Sequence, residues 1–87
     1  MMDEQRRQHL VKLSGRGTES RILLDSLRPW LESRRETLLL RAAEEPKTTE
    51  QLACILVTLG CYREMISDLE RDIRDGAEAA ATLMEDE

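Results

Sequence analysis

The stretch "TTEQLACILVTLGCYREMISDLERDI", residues 48–73, decides the fold. Leu52, Ile55, Leu59, Tyr62, Ile66, Leu69 and Ile73 recur at alternating intervals of three and four residues. On a helix that spacing places all seven side chains on one narrow stripe, the seam of a coiled coil. The stretch therefore predicts a helix from about 49 to 75. Thr48 and Gln51 have the T-x-x-Q spacing of a capping box, in which side chain and backbone satisfy each other at the helix start. Gly76 is the candidate C-cap, since glycine carries no Cβ penalty at positive φ.

Upstream lies "EEPKTTEQ", residues 44–51, a connector whose proline ends any preceding helix. A short loop between helices implies an antiparallel hairpin. The preceding segment supplies a matching stripe of Leu24, Leu27, Leu31, Leu38 and Ala42. Folding back across the connector sets Leu38 beside Ile55, Leu31 beside Tyr62, Leu27 beside Ile66 and Leu24 beside Leu69. Arg34 falls where an apolar residue is wanted, opposite Leu59, and its stem is long enough to carry the charge out to solvent. Thr18 or Ser20 is the expected N-cap of this first helix. Pro29 predicts either a kink at residues 25–26 or a restart there, because proline lacks the N–H and crowds the carbonyl four residues back. Gly15 and Gly17 read as punctuation between the helix and an N-terminal segment.

The seam uses less than half of the uncharged run 51–62, "QLACILVTLGCY". A second stripe remains, made of Cys54, Val57, Cys61 and Met65 and flanked by Ala53, Leu56 and Gly60. Trp30 and Leu39 also lie off the first helix's seam, with Leu23 and Leu40. A helix that is apolar most of the way round is a buried helix, and two helices cannot cover this much. These eight residues, Trp30, Leu39, Ala53, Cys54, Val57, Gly60, Cys61 and Met65, are the candidate interaction surface. Either a second chain covers them, giving a helical bundle, or the chain's own ends, through Leu10, Val11, Leu13, Leu83 and Met84, fold back over them.

Composition agrees with an all-α chain in need of a partner. Of 87 residues 36% are charged and 40% hydrophobic, with one Trp, one Tyr and no Phe. A single core at this size supplies only ~3–5 kcal/mol net. Cys54 and Cys61 are separated by ~10 Å of helical rise, too far to pair within one helix, and read as small apolar side chains in a reducing compartment. Residues 1–47 hold ten basic and eight acidic side chains, and residues 48–87 three basic and ten acidic. A chain with so acidic a half does not read as a duplex-binding protein, which needs clustered Lys and Arg. Twelve uncharged residues are too few to span a bilayer, which takes ~20. The first thirteen residues have no apolar core of a secretory signal. No phosphate loop, His–Glu metal pair or nucleophile elbow occurs. Neither catalytic residues nor a cofactor, metal, small-molecule substrate, nucleic acid or membrane partner is expected.

The segments "GRGTESRILLDS" (15–26), "EEPKTTEQ" (44–51) and "LVTLGCYREMISDLERDIRDG" (56–76) together resemble small helical-hairpin proteins encoded in the structural and packaging gene clusters of tailed bacteriophages. The shared marks are Gly17 ahead of the "LLDS" turn, an acidic connector containing proline, and a second helix ending near a glycine. Cys54, Cys61 and "LRPW" (27–30) depart from that pattern. The resemblance implies a virion component or assembly factor, found in the host cytoplasm or the virion, and brings no functional residues with it.

The expectation is an all-α antiparallel two-helix hairpin over 18–76, with a flexible or short-helical arm at 1–17 and an acidic, fraying tail at 77–87. Its expected role is that of a non-enzymatic interaction module in phage structure or virion assembly, acting by homo-oligomerisation or by docking on another helical protein. The alternative is a small acidic chaperone that shields a partner's amphipathic helix, as in secretion systems.

Overall fold

A computed structural model describes residues 2–44 and 47–86. Asp3 opens the first helix: its carboxylate Oδ1 accepts from the Arg6 backbone N–H at 2.7 Å, and its carbonyl accepts from the Arg7 N–H at 3.0 Å. From that cap α1 runs Glu4–Glu44 and includes most of the segment expected to form an arm. The predicted caps at Thr18 and Ser20 are not used. Both residues lie inside the helix, and Thr18 donates back to the Ser14 carbonyl at 3.2 Å. With Asp3 satisfying the orphan N–H groups, nothing in the Gly15–Gly17 segment stops propagation. Cooperativity favours extension once a nucleus exists.

The chain also passes Pro29 without a break. The helix does not restart there, and Pro29 lies on its exposed side. The Asp25 carbonyl that loses its donor can turn to water there. Leu24 and Leu31 anchor the turns on either side, at 3% and 2% exposure. The expected stop at Pro46 falls outside the described residues.

Thr48 caps α2, Thr49–Glu85, as a full capping box. Its hydroxyl oxygen accepts from the Gln51 N–H at 3.1 Å, and its own N–H donates to Gln51 Oε1 at 3.0 Å. The expected C-cap at Gly76 is not one; α2 continues through it and takes in the tail as far as Glu85.

The two helices pack against each other along their length as an all-α antiparallel hairpin measuring 63 × 21 × 13 Å. The long dimension is that of one helix, since 41 residues at 1.5 Å rise give ~61 Å. The expected register holds. Leu31 and Tyr62 meet in one groove, Leu38 and Ile55 in another, and Trp30 stands edge-on to Tyr62 at 6.3 Å. Arg34 is half-buried at the seam. Among the described residues the fully buried apolar side chains are only Leu24, Leu31, Leu38 and Ala79.

The seam continues beyond the leucines by the same three-four rule, through Ser20, Gly17, Leu13 and Leu10 on α1. On α2 it continues through Gly76, the buried Ala79 and Leu83. Here the helices come closest. A Cβ placed on Gly17 would sit 2.9 Å from Gly76 Cα and 2.9 Å from the Asp72 carbonyl oxygen, and one on Gly76 would sit 2.8 Å from Gly17 Cα. Backbone touches backbone, which no other residue type permits. One turn away the Ser20 hydroxyl donates to Asp72 Oδ2 at 3.2 Å. Asp72 is thus half-buried and bonded across the hairpin.

Candidate functional site

The eight candidate residues all stand exposed on the hairpin. Val57 is 66% accessible, Trp30 55%, Leu39 52% and Met65 43%. The chain's own ends do not fold over them. They pair with each other at the far end, Leu10 and Leu13 lying along the Gly17 side and Leu83 along the Gly76 side of the same seam. Cys54 and Cys61 are free thiols in the open rather than buried small side chains.

The hairpin is a flat object, and the eight residues divide between its two broad flanks. One flank holds an apolar groove lined by Leu31, Leu39, Leu56, Leu59, Gly60 and Tyr62, with Glu32, Arg35 and Arg63 on its walls. Leu39, Gly60 and, two turns before it on α2, Ala53 belong to this side. The Arg28–Glu70 ion pair, 3.6 Å between Nη2 and Oε1, lies on the same flank. Trp30, Cys54, Cys61 and Met65 belong to the opposite flank, as their three-four spacing from the seam requires. Val57, three residues from Cys54 and four from Cys61, lies on the outward edge of that flank.

Apolar exposure is confined lengthwise as well. Among the described residues, large exposed apolar side chains outside the span from Ile22 to Met65 are only Val11 and Met84. Nine lie within that span, so the loop-proximal half carries the apolar surface and the far half is charged and solvated. Glu70 there bonds across to Arg28, and Arg71 bonds to Asp68 at 3.1 Å. The sequence reasoning missed Ile22, 64% exposed, as part of this surface. Its position one residue before the off-seam Leu23 was the available signal.

No group of three or more metal-ligating side chains occurs among the described residues. No helix among them is long and apolar enough to cross a membrane. What the geometry offers is an exposed apolar surface built on two helices. Comparison with protein-family models, curated proteins and solved structures finds no match.

Proposed function

We propose that this chain is a non-enzymatic helical interaction module that works by assembling through the loop-proximal half of its hairpin, as a structural or assembly component of a phage virion. The observation that carries the assembly reading is surface area. A compact monomer of 10.0 kDa exposes ~5,200 Å². This chain exposes 6944 Å². The excess of about 1,700 Å² is twice what one partner buries in a standard protein interface. Nine of the exposed large apolar side chains lie in the loop-proximal half, and contiguous apolar patches larger than a few hundred Å² mark interaction sites. The virion setting is supported by the resemblance of residues 15–76 alone.

The test is native mass by light scattering across a range of protein concentrations, with co-sedimentation on phage particles read separately. Assembly predicts a mass that is a multiple of 10.0 kDa. A well-folded chain that stays at that mass at millimolar concentration would sink the self-assembly reading. Folding only in a one-to-one complex with another protein would favour the shielding chaperone instead. Absence from particles would leave the assembly reading standing and remove the virion.

A further inference from the structure

One wall of the groove carries opposite charges side by side. Glu32 and Arg35 stand about one turn apart on α1, both exposed, and neither enters an ion pair among the described residues. Leu39 and Leu56, on the same groove, are more than half exposed. The register of the hairpin fixes where this pair lies along the rod. Leu31 meets Tyr62 and Leu38 meets Ile55. The level midway between Glu32 and Arg35 is therefore that of Leu59 and Gly60 on α2.

Two further features coincide at that level. It lies within a residue of the midpoint between Ile22, where the run of exposed apolar side chains on α1 begins, and Glu44, where α1 ends. Gly60 is there as well, and a Cβ added to it would meet nothing within 4 Å. The hairpin's own packing makes no use of that missing side chain, although glycine inside a helix costs about 1 kcal/mol against alanine. Room beside a backbone is what a second helix needs in order to come close.

Resting on the assembly reading above, we propose that a second copy of this chain seats antiparallel on the groove flank, about a two-fold axis that crosses the hairpin between Glu32 and Arg35. A two-fold contact sets a patch against its own image. An axis at this level sets Glu32 against the partner's Arg35 and Arg35 against the partner's Glu32, so symmetry closes two opposite-charge pairs. Near Gly60, α2 lies over its own image. Arg63 falls opposite the partner's Leu56, where its stem covers the leucine and its charge stays at the rim. Arg28 is already paired with Glu70, and Asp25 lies near the edge of the overlap. The overlap runs from residue 22 to the turn, about 33 Å of α1 at helical rise, so the four-helix section coincides with the apolar half. With a breadth of 21 Å the shared face is about 700 Å², near the ~800 Å² that one partner gives to a standard interface. Charge sets the antiparallel sense. Residues 1–21 and 66–87 together hold seven basic and eleven acidic side chains, against six and seven in 22–65. Parallel copies would stack those acidic far halves, whereas antiparallel copies send them in opposite directions.

Native mass by light scattering, on the unmodified chain and on charge variants, tests the axis. The unmodified chain should have twice the chain mass. Glu32→Arg and Arg35→Glu each turn both pairs into like-charge contacts. Both positions are exposed, so both variants should keep the parent's helical circular dichroism. Each alone should dimerise at least about tenfold more weakly than the parent. An equimolar mixture of the two restores opposite charges across the interface and should regain the parent's affinity within about threefold. The double variant Glu32→Arg/Arg35→Glu should do the same. A mixture or a double variant as weak as the single variants overturns the axis while self-assembly stands. So does an Arg35→Glu chain that dimerises as tightly as the parent, the result expected of parallel copies in which Glu32 faces the partner's Arg63. A parent that stays at the single-chain mass overturns the assembly reading and this proposal together.

Discussion

At the scale of single residues, the Gly17–Gly76 contact makes the sharpest prediction. Alanine at either position puts a Cβ under 3.0 Å from backbone atoms that cannot turn aside. Gly17→Ala or Gly76→Ala should cost ~1–3 kcal/mol, the range for overpacking a tight core, measured as a fall in the urea midpoint. Gly15 is the internal control, since a Cβ there meets nothing within 4 Å. Gly15→Ala should instead stabilise by about 1 kcal/mol through helix propensity. Equal effects at 15 and 17 would mean that the close approach does not exist in solution. Neither glycine's role was legible as such. A glycine that ends a helix and one that admits another helix look alike in a local window, and only the position of the facing chain separates them. The signal that could have found them is the seam itself: Leu10, Leu13, Gly17, Ser20 and Leu24 keep the three-four rhythm without interruption. Thr48 was legible, because a capping box involves only four consecutive residues. Thr48→Ala should cost about 1 kcal/mol in the same melt, and no change would remove the cap from the account of where α2 begins.

At the scale of elements, α1 and α2 were legible as helices and their pairing was legible in register. Heptad spacing is a periodic signal repeated many times, and the short connector leaves one way to superpose the stripes. Leu38 with Ile55 and Leu31 with Tyr62 follow from it. The ends were less legible. Asp3 competes with Thr18 and Ser20 as a cap, and choosing among them requires knowing that Leu10 and Leu13 have a surface to pack on. Pro29 misled for a related reason. Its penalty is intrinsic, but tertiary packing on both sides holds the helix through it. Pro29→Ala should restore the missing donor on an exposed face and stabilise by about 2 kcal/mol, the helix-interior penalty of proline less its benefit in the unfolded chain. A destabilised Pro29→Ala variant would indicate that the proline shapes α1 in a way the hairpin requires. Leu31, 2% exposed, should be the costliest apolar truncation in the seam. Leu31→Ala is expected to lose ~2–5 kcal/mol, and Leu59→Ala less, since Leu59 is only half-buried. The reverse order would shift the core toward the loop.

At the scale of the whole molecule, the radius of gyration of 18.8 Å compares with ~12 Å for a globular chain of this length. A slender hairpin has little interior, which is why only four apolar side chains among the described residues are fully buried. Stability borrowed from a second copy makes unfolding depend on concentration. The thermal midpoint should therefore rise measurably between micromolar and hundred-micromolar protein, and a midpoint that does not move would argue for a self-sufficient hairpin. That the chain has surplus apolar helix surface was legible in the sequence, because residues 51–62 lack charge. Which flank of the hairpin holds which of those residues was not, since it depends on the crossing of two helices. Finally, the glycine pair works as an alignment key at the end of the rod farthest from the turn. Sliding one helix by a heptad would ram Gly17 against Leu69 or Leu83, so the far end has a single seating. Extra residues spliced into the turn have no way to be absorbed by slippage. They must bulge locally, which makes the 44–49 segment the place where foreign sequence can be inserted with the opposite tip left undisturbed.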